Sequence, residues 1–228
     1  MTTSNAILSA LAFGILPAIL WLLFWLKEDS KHPESPFLIS KAFLCGMLVV
    51  VLVIPFQKIV DDLFPGMSPT AFLFWAIIEE GFKFAMAYFV AIRVRDDDEP
   101  IDAMIYMIAV ALGFVALENT FFIFHPLLQR DIVVAVSLGN LRFIGASLLH
   151  VVSSATIGLA LALSFYKKTS VRVAWTSLAF IIAVIIHAAF NIFILNRTGL
   201  ESFVIFGSVW FGVALVLLAF EKAKTVAP

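Results

Sequence analysis

The stretch AFLFWAIIEEGFKFAMAYFVAI, from Ala71 to Ile92, decides the fold. As a helix it is long enough to cross a hydrocarbon core, which needs about 20 apolar residues. Yet it carries Glu79, Glu80 and Lys83 near its middle. An ionisable side chain at that depth costs at least about 2.5 to 3.5 kcal/mol on insertion scales, so three in one span must face one another or a polar interior. Lys83 lies one helical turn beyond both acids, at i+4 from Glu79 and i+3 from Glu80. One lysine neutralises one carboxylate, so a purely structural salt bridge leaves the second acid unexplained.

Outward from this span the chain repeats the apolar pattern. Comparable runs cover roughly Ala6 to Leu26, Phe37 to Phe56, Ile101 to Phe124, Leu141 to Phe165, Val173 to Leu195 and Phe203 to Phe220. With 62% hydrophobic residues, 14% charged residues and a mean hydropathy of +1.05, the 228-residue chain lies far from the composition of soluble domains. The reading is an all-α polytopic transmembrane bundle of about seven spans. It forms a single domain over residues 1–228, because no connection is long enough to fold alone, and its site is expected within about 71–195. Ile132 to Leu138 is apolar too but meets Gly139-Asn140, and is expected as a short interfacial or re-entrant piece. A net charge of -1 gives no basic excess for nucleic acid, and the lone Cys45 excludes a disulfide framework.

Charge reports topology instead. The first run lacks a basic leader segment and is followed by Lys27 and Lys31, which suits an anchor with a translocated N-terminus better than a cleaved signal. Seven spans with the N-terminus outside give the cytoplasm Lys27, Lys31, Lys41, Arg93, Arg95, Lys167, Lys168, Arg172, Lys222 and Lys224, ten of the fifteen basic residues. The outside receives Lys58, Arg130, Arg197 and at most Arg142. That asymmetry is the one expected of a plasma-membrane protein with its C-terminus in the cytoplasm.

Other spans carry polar groups at the same level. Glu118 and Asn119 lie in the fourth, His150 in the fifth, and His187 with Asn191 on one face of the sixth. Counted from the outer ends of their spans, Glu79, Glu118, His150 and His187 sit on the order of 9 to 15 Å deep. Scattered structural polar residues have no reason to share a depth. His125 and His32, by contrast, fall outside the spans and read as solvated. The ionised cluster of Glu79, Glu80 and Glu118 against Lys83 and Arg142 leaves one negative charge over. Either one carboxyl keeps its proton, as a metal-free glutamate mechanism requires, or a divalent cation compensates it. Two histidines and a glutamate match the ligand set of catalytic zinc. Acids and imidazoles in a membrane also suit hydrolysis by an activated water, or the proton relay of a transporter or channel. The internal repeats common in transporters are not visible. A seven-helix receptor shares the topology, but paired glutamates suit a catalytic cluster better.

These residues resemble the PrsW-type intramembrane proteases, within the broader group of CAAX prenyl endopeptidases and bacteriocin-processing enzymes. The resemblance runs from about Glu79 to Asn191. It comprises Glu79-Glu80-Gly81-Phe82-Lys83, Glu99-Pro100-Ile101-Asp102, Gly113-Phe114 with Glu118-Asn119, Arg142 with His150, and His187 with Asn191. Each element alone is weak, and five in order are specific. Ala103 and Phe122 depart from the family, where glycine and a hydroxylated aromatic are common. The resemblance implies an intramembrane endopeptidase in a bacterial or archaeal plasma membrane. Its implied partner is a membrane-anchored protein or peptide, such as an anti-sigma-type regulator, cut near its extracytoplasmic side. It puts Glu79 or Glu80 as base, the other being oriented by Lys83. His150 and His187 bind metal or orient water and the oxyanion, Glu118 is the third ligand, and Asn191 is a hydrogen-bond donor. Asn119 and Arg142 support the site, and the expected cofactor is a divalent metal, zinc.

Overall fold

In the computed structural model, residues 2–28, 33–93, 99–194 and 200–227 are described. Lys31, His32, Arg95 and Arg197 of the sequence reading lie outside them. The helices are α1 (Thr3–Glu28), α2 (Pro36–Leu63), α3 (Pro69–Ala87), α4 (Asp102–Leu128), α5 (Ile132–Leu141), α6 (Ser147–Leu163), α7 (Thr169–Ile194) and α8 (Leu200–Ala223). No strand occurs among the described residues. Six continuous helices are long and apolar enough to cross a membrane, with Ile132 to Leu163 counting as one; α3, with its three charges, is not among them. With α3 there are seven rods, as the sequence predicts.

One expectation needs correcting. Ile132 to Leu138 is not a separate interfacial piece, because the helix runs on through Gly139-Asn140 into a π-helical turn, Arg142–Ala146, and then α6. No proline follows to break it. The break lies earlier, where Arg130 adopts φ 61° and Asp131 caps α5 by accepting the Val134 N–H at 3.0 Å.

Helix α4 is the axis of the bundle. Every residue from Asp102 to Ala116 is buried, and a helix apolar on all sides belongs at a centre. Lipid tails are as apolar as leucine, so helix association relies on close van der Waals contact between small residues. Helix α1 offers α4 the buried stripe Ala6, Ala10, Gly14 and Ala18, spaced at i+4. Helices α2 and α4 touch through reciprocal glycines. A Cβ on Gly46 would lie 2.1 Å from the Val110 carbonyl oxygen, and one on Gly113 would lie 1.9 Å from that of Phe43. The Lys224 ammonium donates to the Glu28 carbonyl at 2.6 Å, tying the end of α8 to the end of α1.

Since backbone cannot yield as a side-chain tip can, Gly113→Ala should part α2 from α4. Gly207, with nothing within 4 Å of its notional Cβ, is the control. In detergent, Gly113→Ala is expected to lower the melting temperature by several degrees while Gly207→Ala leaves it within about one degree. Equal melting of the two variants would contradict the packing described.

Candidate active site

Five helices meet around a cavity of about 460 Å³ whose walls include Glu79, Glu118, Arg142, His150, His187 and Asn191. Helix α3 brings the two acids and Lys83 inward on its buried face, starting from Ser68, whose hydroxyl accepts the Ala71 N–H at 3.1 Å. Helix α4 supplies Glu118 and Asn119, α6 His150, and α7 His187 with Asn191.

Glu80 is the most constrained group. Its side chain is fully buried, and Oε1 receives Lys83 Nζ at 2.5 Å, the Ser153 hydroxyl at 3.0 Å and His187 Nδ1 at 2.8 Å. Oε2 receives the Ser154 hydroxyl at 3.1 Å. A buried carboxylate with four donors from three helices is satisfied. It also fixes a tautomer, because a carboxylate only accepts, so His187 Nδ1 carries the proton and Nε2 presents its lone pair. Lys83 reaches His150 Nδ1 at 3.0 Å as well.

Glu79 is differently placed. Gln57 Nε2 donates to its Oε1 at 2.8 Å, whereas Oε2 is buried and has no hydrogen-bond partner among the described residues. This orphan oxygen lies 3.6 Å from His187 Nε2. Two lone pairs thus face each other in a buried site, an arrangement that calls for a cation or a proton between them. The rings of His150 and His187 meet edge to face at 4.8 Å. Ligand atoms of Glu79, His150 and His187 all lie within 4.8 Å of one another, so the three side chains could hold a single metal ion once His150 releases one of its contacts with Lys83 and Glu118.

The remaining acid is bound elsewhere. Glu118 accepts from Arg142 Nη2 and lies 3.3 Å from His150 Nε2. Arg142 Nε donates to Asn119 Oδ1, and Asn119 Nδ2 donates to the Ser147 hydroxyl at 3.1 Å. The guanidinium also lies 4.0 Å over the ring of Phe122. The sequence reading gave the third ligand position to Glu118; the group that closes on both histidines contains Glu79 instead. Lys83 faces Glu80 and Arg142 faces Glu118, so among the described residues Glu79 is the acid without a cationic Lys or Arg in contact, and the odd negative charge falls to it. Sequence reasoning missed Gln57, Ser153 and Ser154. The serines had a signal, standing at i+3 and i+4 from His150 on its face of α6.

Removing one partner of a buried ion pair leaves an uncompensated charge, at a cost of about 3 to 5 kcal/mol. Lys83→Met should therefore sharply reduce stability in detergent, and Lys83→Met with Glu80→Gln should recover part of it. A double variant no more stable than Lys83→Met would show that the pair is not the source of the loss.

Comparison with known proteins identifies the family. Residues 34–219 match the model of the PrsW family of intramembrane metalloproteases. The chain is 28% identical over 222 residues to the protein named protease PrsW of Shouchella clausii, covering 96% of each. It is also 28% identical over 219 residues to that of Oceanobacillus iheyensis, covering 95% of each. With the Bacillus subtilis protease PrsW it shares 24% over 221 residues, covering 96% of this chain and 94% of the other. No solved structure matches. A family model spanning most of the chain, curated relatives matched along almost their whole length, and a buried acid–imidazole site in a helical membrane bundle agree: the chain belongs to the PrsW family, and it is a multi-pass intramembrane protease.

Proposed function

We propose that the protease is a metalloenzyme whose Glu79, His150 and His187 hold one divalent cation, zinc, and that it cuts a membrane-anchored regulator of the anti-sigma type near its extracytoplasmic side. The observation that carries the metal is the orphan Glu79 Oε2 opposite His187 Nε2. When bound, the cation supplies a Lewis acid for the scissile carbonyl and a more acidic water.

The chain's own residues divide the remaining work. Glu80, held by four donors, is a positioning residue that keeps the His187 proton on Nδ1. Glu118 has a side chain 18% exposed against 6% for Glu79 and 0% for Glu80. It is thus the acid that cavity water reaches, and we assign it the proton of the attacking water. Arg142 and Asn119 aim its carboxylate. Asn191, on the same cavity wall, is a donor for the oxyanion. This division departs from the sequence reading, which gave the base to Glu79 or Glu80 and the third ligand position to Glu118. The whole cluster acts in the half of the bundle near the α2–α3 and α4–α5 turns. We place that half outside, because Lys27, Lys41, Arg93, Lys167, Lys168 and Arg172 gather at the other.

Protein purified without chelator should contain near-stoichiometric metal that His150→Ala and His187→Ala lose. A membrane-permeant chelator should abolish cleavage and added zinc restore it. An active, metal-free enzyme indifferent to the chelator would overturn the metal assignment. Glu118→Gln should keep the metal and lose at least about 100-fold in kcat. For orientation, a reporter after Pro228 is expected in the cytoplasm and one before Met1 outside; both on one side would refute it.

A further inference from the structure

The π-helical turn between α5 and α6 stands beside the site and has so far been given no task. An α-helix turns about 100° per residue, so Arg142 and His150, eight positions apart, would point about 80° apart on a regular helix. A π turn accommodates one residue more than an α turn does. The phase then corresponds to seven steps, which brings the two side chains to within about 20° of one another. Both meet Glu118, Arg142 through Nη2 and His150 through Nε2 at 3.3 Å.

Such a turn leaves a backbone carbonyl over. The Ser147 N–H reaches back five residues to the Arg142 carbonyl, so the Phe143 carbonyl loses the N–H that an α-helix would give it. Inside a helix long and apolar enough to span a membrane, such an oxygen has little water to turn to. Two indoles from other helices reach this turn, one at the stranded carbonyl and one at the next. Trp21 Nε1 of α1 donates to the Phe143 carbonyl at 3.4 Å, and Trp210 Nε1 of α8 donates to the Ile144 carbonyl at 3.1 Å. The indoles touch each other edge to face at 6.0 Å, and Trp21 also packs on Phe143 at 5.6 Å. Gly145 lets α8 come close, since a Cβ there would lie 2.2 Å from the Phe206 ring.

We propose that Trp21 and Trp210 are positioning residues for the protease reaction: their indole N–H groups hold the π turn that sets Arg142 and His150 together on Glu118. The inference rests on the reading of Glu118 and His150 as parts of the active site. Without the two donors, relaxation to an α turn satisfies the stranded carbonyl and swings Arg142 away from Glu118.

The test uses the full-length protein in liposomes with a membrane-anchored substrate. Trp21→Phe with Trp210→Phe keeps the rings and removes the N–H groups. The expected result is a kcat at least 10-fold lower with KM within twofold and metal content unchanged. Deleting Ile144 removes the surplus residue, so a regular helix then holds Arg142 and His150 in phase. In that background the two Trp→Phe changes should cost less than twofold. Wild-type kcat in the double Phe variant, or a loss confined to KM, overturns the proposal; so does the same loss in an Ile144-deleted chain that accumulates normally. If the deleted chain does not accumulate, the kcat and KM of the double Phe variant decide alone. Glu118→Gln, run in parallel, separates the two layers. Full activity there refutes the active-site reading, whereas an inactive Glu118→Gln beside a fully active double Phe variant refutes only the role of the indoles.

Discussion

An ionised carboxylate far from water must be surrounded by donors, and Glu80 is where this protein meets that demand. Lys83 from its own helix, Ser153 and Ser154 from α6 and His187 from α7 all converge on it. The same contacts that make the charge tolerable fix the relative rotation of three helices. They also fix the proton on His187, and with it the direction of a lone pair. Stability and the proposed chemistry therefore share one set of bonds, whereas the adjacent Glu79 keeps a buried oxygen with no partner among the described residues.

The two acids show how neighbouring identical residues acquire unlike tasks. Glu80 looks toward α6 and α7 and is enclosed; Glu79 shares a hydrogen bond with Gln57 of α2 and borders the cavity. A one-residue step on a helix is a rotation of about 100°, enough to move a side chain from one neighbour to another. Glu118 forms a third environment, less buried and held by a guanidinium that lies on an aromatic ring. A single depth thus contains a clamped acid, an orphan acid and an accessible one.

Much of this was legible in the sequence because lipid makes polar residues conspicuous. The seven apolar runs, the depth shared by Glu79, Glu118, His150 and His187, and the surplus of one negative charge all follow from span lengths and residue types. The partner of each charge did not follow, since i+3 and i+4 place Lys83 equally near both acids and only the packing of α6 and α7 selects Glu80. Gln57, Ser153 and Ser154 were overlooked because hydroxyls and amides are common enough in membrane helices to pass without comment. The π turn was missed for a related reason: Gly139-Asn140 looks like a stop, while a surplus residue inside an apolar run has no compositional signature. Trp21 and Trp210 read as ordinary apolar side chains until the carbonyls they reach are known.

The place of His187 in the chain carries a consequence for how the enzyme is made. Glu79, Glu80, Glu118 and His150 all lie in helices that leave the ribosome before α7, the helix that closes the site. A nascent chain inserted only as far as α6 has Glu80 beside Lys83 and the two serines, but no second imidazole and no wall formed by α7. On the proposed site, hydrolytic competence thus arrives with α7, after α4 has already gained most of its neighbours. Until then the unfinished bundle is a membrane protein without the means to cut another one.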